Sequence, residues 1–178
     1  MYSIANRIFS ISETRHRASE TIGSISAGFA VQCDECFFSV LVRSLANGLK
    51  VKYAFVSEFI WSQPWRARTI SRWMGDGFGE NYEYLLQDTP CFEVSKGSTC
   101  FYPLAVQGLF PRDQDIRALR GESYLGVPIK SSTGKVIGHL AIMDTVPMYH
   151  EDYLRLVMKY FAQRAAEELE CLQRSRGS

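Results

Sequence analysis

The sequence predicts an α+β domain organised around one antiparallel hairpin. Residues 122–144, ESYLGVPIKSSTGKVIGHLAIMD, read as two strands joined by a tight turn, with apolar residues on both faces. Strands of that kind are covered on two sides. Residues 37–49 carry apolar side chains at helical spacing. About 47 residues of loop and short helix, Gly75 through Gly121, separate the second predicted strand from the hairpin, far more than an ordinary connection needs. Long ordered insertions of this kind are usually binding lids.

Composition sets the outer bounds. The chain has 178 residues, 46% hydrophobic and 22% charged, with a formal net charge of +1. A domain of this size hides about 70% of its unfolded surface, enough for a real core. Near-zero charge gives no general attraction to nucleic acid or to an anionic membrane. No apolar run approaches the roughly 18 residues of a membrane span, and residues 1–17 lack a continuous signal-peptide core. A cytoplasmic location is expected. The five cysteines are Cys33, Cys36, Cys91, Cys100 and Cys171. An odd number without a secretion signal argues against a disulfide framework.

Residues 1–32 read as a partly helical lead-in or linker. Ile4, Ile8 and Ile11 sit near helical spacing, Ser12 and Glu13 suit a helix start, and TIGSISAGFA (21–30) is Ser/Gly-rich like a linker. From Asp34, a candidate N-cap, Phe37, Phe38, Leu41, Val42, Leu45 and Leu49 form a helical stripe that should pack on a sheet. Gly48 marks its expected end. Residues 51–60 have high strand propensity, with Val51, Tyr53, Phe55 and Phe59 on one face. A turn at 61–65 leads to a more polar strand, 66–74, suited to a sheet edge.

In the insertion, Tyr82 and Tyr84 lie in an aromatic segment of open structure. Asp88–Val94 reads as a short helix with Thr89 as N-cap, Pro90 at N1 and Gly97 closing it. Residues 99–103 suit a short strand, 105–110 a loop, and 111–119 a short helix stopped by Gly121. In the hairpin, Ser123, Leu125, Val127 and Ile129 oppose Tyr124, Gly126 and Pro128. Strict alternation then sets Val136, Gly138, Leu140 and Ile142 against Ile137, His139, Ala141 and Met143. The last helix, 149–174, carries Leu154, Met158, Phe161, Ala165 and Leu172 along one stripe, with Leu156, Val157, Tyr160 and Leu169 beside it. Its early part should cover the sheet, and its later part should leave the domain as a dimer seam.

Taken in order, LVRSLANGLKVKYAFVSE (41–58), DTPCFEV (88–94), FPRD (110–113), ESYLGVPI (122–129) and GHLAIMD (138–144) resemble the GAF domain. GAF domains are sensory and regulatory modules of bacterial signalling proteins. The resemblance covers roughly 34–174. It implies an antiparallel sheet of five to six strands, order 2-1-5-4-3, with terminal helices on one face. The lid, 75–121, would cover the other face and enclose a small-molecule pocket. The implied organisation is a lead-in (1–32), the domain (33–174, with 149–174 as connecting helix) and a tail (175–178). The resemblance further implies a homodimer through the terminal helices and an output domain such as a histidine kinase or cyclase, as in two-component systems. Ligand contacts are expected among Trp73, Phe78, Cys91, Cys100, Tyr102, Phe110, Tyr124 and His139.

Other chemistry finds less support. The CxxC of Cys33 and Cys36 lacks the two further ligands of a zinc site, although a helix start can activate a thiol. Cys91 and Cys100 invite comparison with the GAF branch that reduces free methionine sulfoxide. That branch uses a further cysteine in the segment matching 111–120, where this chain has none. Covalent bilin attachment through a Cys-His pair in the same helix is disfavoured on the same ground, and no cofactor is expected. His139 is either a satisfied core histidine or a polar contact on the pocket floor. No catalytic triad, P-loop or basic stripe is visible. The leading expectation is a non-enzymatic ligand sensor. The alternatives are a ligand-free dimerising connector and, third, a thiol enzyme.

Overall fold

A computed structural model describes residues 9–30 and 36–176. Six strands form one antiparallel sheet: β1 (Tyr53–Ile60), β2 (Arg66–Trp73), β3 (Glu83–Leu85), β4 (Cys100–Tyr102), β5 (Ser123–Lys130) and β6 (Val136–Asp144). Their order is β3-β2-β1-β6-β5-β4. With the three-residue edge strand β3 set aside, this is the order expected above. Strand β6 lies between β1 and β5, and buried apolar side chains cover both of its faces.

Two helices cover one face, α2 (Phe37–Leu49) and α6 (Glu151–Arg176), and α1 (Ile11–Ala30) packs on both of them. The core beneath them joins Leu41 and Leu45 of α2, Val56 of β1, Leu125 and Val127 of β5, Leu140 and Ile142 of β6, and Met158 and Phe161 of α6. The short helices α3 (Pro90–Ser95), α4 (Val106–Leu109) and α5 (Gln114–Ala118) lie in the lid over the opposite face. A second core gathers there, around Tyr53, Leu86, Cys91, Val94, Ile116, Tyr124 and Met143.

The Ser/Gly-rich stretch 21–30 is the second half of α1, not a linker. A capping box starts this helix: the Glu13 N–H donates to Ser10 Oγ (3.2 Å), and the Ser10 N–H donates to Glu13 Oε2 (2.8 Å). Ala18 and Ile25 of α1 are buried in the helix-side core. Gly48 of α2 leaves room for Ile25, whose Cγ1 would lie 2.7 Å from a Cβ there. Burial thus overrides the modest helix propensity of serine and glycine, about 1 kcal/mol per glycine relative to alanine. Gly48 is therefore a packing glycine. The left-handed residue ending α2 is Lys50, φ 55°. The expected N-cap Asp34 lies outside the described residues.

Two β-bulges re-aim side chains that strict alternation would misplace. The β1–β2 register slips at Ile70, so Ser57 faces Thr69 while Val56 faces Ser71. Arg72 consequently turns to the lid side, and Trp73 packs into the helix-side core. The β5–β6 register slips at Ile137, which joins the helix-side core while Val136 packs towards the lid. Val51 precedes β1 and packs on the helix side, not beside Tyr53. Residues 106–109, expected as loop, form the single turn α4. The left-handed residue after α5 is Arg120, φ 53°, and not Gly121. Gly121 instead accommodates Met143, whose Cγ would lie 3.2 Å from a Cβ there.

Helix α6 does not leave the sheet where a seam was expected. Burial continues to Leu169, and the last turn is tied down. The half-exposed Arg176 and, at 3.4 Å, Gln173 Nε2 both reach the buried carboxylate of Glu58 on β1.

Candidate functional site

Between the sheet and the lid lies a narrow cavity of about 40 Å³. Its floor is sheet: Tyr53 and Phe55 of β1, Thr69 and Arg72 of β2, Tyr124 of β5 and Met143 of β6. Its roof is lid: Tyr82 and Tyr84 around β3, Pro90 and Cys91 of α3, and Asp113, Asp115, Ile116 and Leu119 around α5. Each roof segment is placed by local chemistry. Thr89 takes the extended N-cap conformation and Pro90 opens α3, so Cys91 points down from its first turn. Asp113 caps α5, accepting from the Ile116 N–H at 3.0 Å. Thr69 Oγ1 accepts from the Tyr82 N–H at 2.8 Å, which holds the start of β3 against β2.

Two bonds pin α5 to the sheet side. Tyr82 donates its hydroxyl to Asp115 Oδ2, and Tyr53 donates its own to the Leu119 carbonyl at 3.3 Å. The Arg72 guanidinium lies over the Tyr82 ring, 4.5 Å from its centre, and donates to the Glu80 carbonyl at 3.1 Å. Burial raises the Tyr82 hydroxyl well above the usual tyrosine range, with the bond to Asp115 adding to the effect. Burial, and then the Asp115 charge among the groups that raise it, lifts the Asp113 carboxyl above its ordinary value.

The expected contact residues divide by position. Cys91 and Tyr124 line the cavity, with Cys91 Sγ 3.4 Å from the Tyr124 hydroxyl. His139 lies fully buried in the floor just behind it, stacked on Phe59 at 5.2 Å and edge-on to Phe55 at 5.7 Å. Its Nε2 is 3.4 Å from the Tyr84 hydroxyl, and its Nδ1 has no hydrogen-bond partner among the described residues. Tyr102 and Phe110 pack edge to face at 5.1 Å in the lid-side core, beside Tyr124 and off the cavity wall. Cys100 sits in the same region, half-buried. Trp73 and Phe78 pair at 5.2 Å away from the cavity, because the Ile70 bulge turns Trp73 to the helix side.

The expectations did not include Tyr53, Phe55, Thr69, Arg72, Tyr82, Tyr84, Asp113 or Asp115 as contacts. Alternation does put Tyr53 and Phe55 on one face with Phe59, which is a usable signal. Nothing local marks Arg72, which only the bulge delivers.

The two lid-side thiols, Cys91 and Cys100, are poor nucleophiles. Burial pushes Cys91 up to about 11 and raises Cys100 as well, so both remain protonated at neutral pH. Burial lowers His139 to about 3, leaving a neutral ring. No group of three or more His, Cys, Asp or Glu side chains is arranged to hold a metal among the described residues. No described helix is long and apolar enough to cross a membrane.

Comparison with known proteins agrees with this architecture. No curated protein matches by sequence. The GAF domain of a phosphoenolpyruvate-protein phosphotransferase from Coxiella burnetii superposes with a TM-score of 0.68 at 13% identity, covering 92% of this chain and 98% of that one. The A. aeolicus nlh2 GAF domain, in an inactive state, gives 0.64 at 15% identity over 90% and 99% of the two chains. A phycoerythrobilin-bound GAF domain from a cyanobacterial phytochrome gives 0.60 at 12% identity over 88% and 97%. At these identities the likeness shows the fold. The family model for the GAF domain matches residues 27–169, and with most of the chain so matched, this protein belongs to the GAF domain family, whose members are sensory and regulatory modules.

Proposed function

We propose that this chain is a non-enzymatic sensor domain that binds a small molecule between sheet and lid. The observation that carries the reading is the cavity itself: an apolar, aromatic-walled space with a few convergent polar groups, which is the usual character of a ligand site. Three segments far apart in sequence, 82–91, 113–119 and the sheet, close around it, so a ligand there would report on all three. A bilin-bound neighbour has the same fold. Covalent attachment in that manner has no cysteine or histidine in 111–120 to use.

The relay would run through the terminal helices. A ligand shifts a conformational equilibrium only by its differential affinity for the two states. The two-state element proposed is the packing of α1 and α6 in a homodimer, passing the change to an output domain such as a histidine kinase or cyclase. Exposed Leu156 and Tyr160 on α6 and Ile11 on α1 supply apolar surface for such pairing.

A ligand-free connector is the second reading. The narrowness of the cavity favours it, since about 40 Å³ holds only a few waters while ligand pockets run to several hundred. Thermal unfolding of the full chain against a metabolite panel separates the two. A binder at 100 times its Kd should add about 2.7 kcal/mol. A shift that disappears in Tyr124→Trp, which fills the cavity, supports the sensor. A panel without any shift, beside a dimer that persists without additive, supports the connector.

A further inference from the structure

The charged groups on the cavity wall are two carboxylates, Asp113 and Asp115, and one guanidinium, Arg72. The tyrosine hydroxyls of Tyr53 and Tyr82 are spent on the Leu119 carbonyl and on Asp115. The Thr69 hydroxyl goes to the Tyr82 carbonyl at 3.3 Å. The Arg72 guanidinium lies against the Tyr82 ring and donates one N–H to the Glu80 carbonyl, and no salt bridge joins it to Asp113 or Asp115. The Tyr84 and Tyr124 hydroxyls meet His139 Nε2 and Cys91 Sγ, each at 3.4 Å, and the two carboxylates keep acceptor capacity. A carboxylate offers about four lone-pair sites. Asp113 uses its sites only on amides at the start of α5, and Asp115 accepts from Tyr82. Two carboxylates against one guanidinium leave the wall with one net negative charge. The remaining wall is largely aromatic, and aromatic faces attract cations.

Resting on the reading of this cavity as a ligand site, we infer that its ligand is a small organic cation, an amidine or amine on a compact frame, held by Asp113 and Asp115 against the tyrosine rings. Entry parts the Tyr82–Asp115 bond, which widens the cavity and turns the Asp115 carboxylate from the tyrosine to the ligand. Ligand donors then meet acceptors already on the wall, and the ligand charge offsets the cost of keeping the part-buried Asp113 carboxylate ionised.

Benzamidine, benzamide and benzoate have nearly the same shape and differ in charge. Thermal unfolding and calorimetric titration of the full chain with each of the three tests the inference. The variants Asp113→Asn and Asp115→Asn each remove one charge. Each keeps an amide oxygen to accept from Ile116 or from Tyr82, so the cap and the lid bond survive. The expected result is stabilisation by benzamidine alone, with affinity at least about tenfold weaker in both variants. Benzamide or benzoate stabilising as well as benzamidine overturns the cation class and leaves a ligand pocket standing. So does an acidic or neutral binder from the metabolite panel, or unchanged benzamidine affinity in both variants. No shift with benzamidine overturns it too, and no shift with any compound removes the sensor reading as well.

Discussion

His139 is a polar side chain with 0% exposure on the central strand, and its Nδ1 has no partner among the described residues. Protonating the ring would place a charge in a site shut off from water, and burial holds its pKa at about 3 against 6.5 for a free histidine. Between these values the unfolded chain binds a proton that the folded chain refuses. Stability therefore falls as pH drops below about 6.5, approaching 1.4 kcal/mol per pH unit well below that point. Urea unfolding at pH 7, 6 and 5 should show this slope, and His139→Leu should flatten it. An equal slope in the variant would assign the acid sensitivity to other groups. Gly138 makes a second residue-scale prediction. A Cβ there would press on the Ser57 backbone carbonyl and lie 2.8 Å from Leu169 Cδ2. Gly138→Ala should cost about 2–3 kcal/mol. Gly77→Ala, at a site with open space, should stay within about 0.5 kcal/mol in the same denaturation assay.

Among the elements, α6 is joined to the cavity edge by charges. Glu58 of β1 accepts from Arg176 of α6 and from Arg68 Nη1 of β2 at 3.2 Å. Arg68 is shared with Glu83 of β3, its Nε donating at 2.9 Å. Glu83 stands between Tyr82 and Tyr84, which line the roof. If the relay passes this way, Glu58→Gln should speed amide exchange in the last turn of α6 and weaken any ligand effect there. Unchanged exchange at that turn would remove the network from the relay. Elements were legible from sequence where periodicity and punctuation agreed. The α2 stripe, the Thr89-Pro90 start of α3 and the tight turn of the hairpin, where Gly134 takes φ 82°, are of that kind. Strand β3 was not legible, because three residues on a sheet edge carry no period. The second half of helix α1 was obscured because burial against α2 and α6, and not residue propensity, holds it.

For the whole molecule, strand order and the two-sided covering of β6 followed from the hairpin and the family resemblance together. The site followed only in part. Cys91 and Tyr124 sit at recognisable element positions. Arg72, Tyr82 and Asp115 meet only after a bulge and two chain reversals, which no local pattern announces. The proposed ligand acts at the closure between α5 and the β3 region. Hydrogen exchange of the full chain, with and without the strongest binder from the panel, tests it most directly. The prediction is a change in exchange at residues 82–85 and 113–119, with a smaller change at the end of α6. Binding that leaves both lid segments unchanged and alters exchange elsewhere would contradict it.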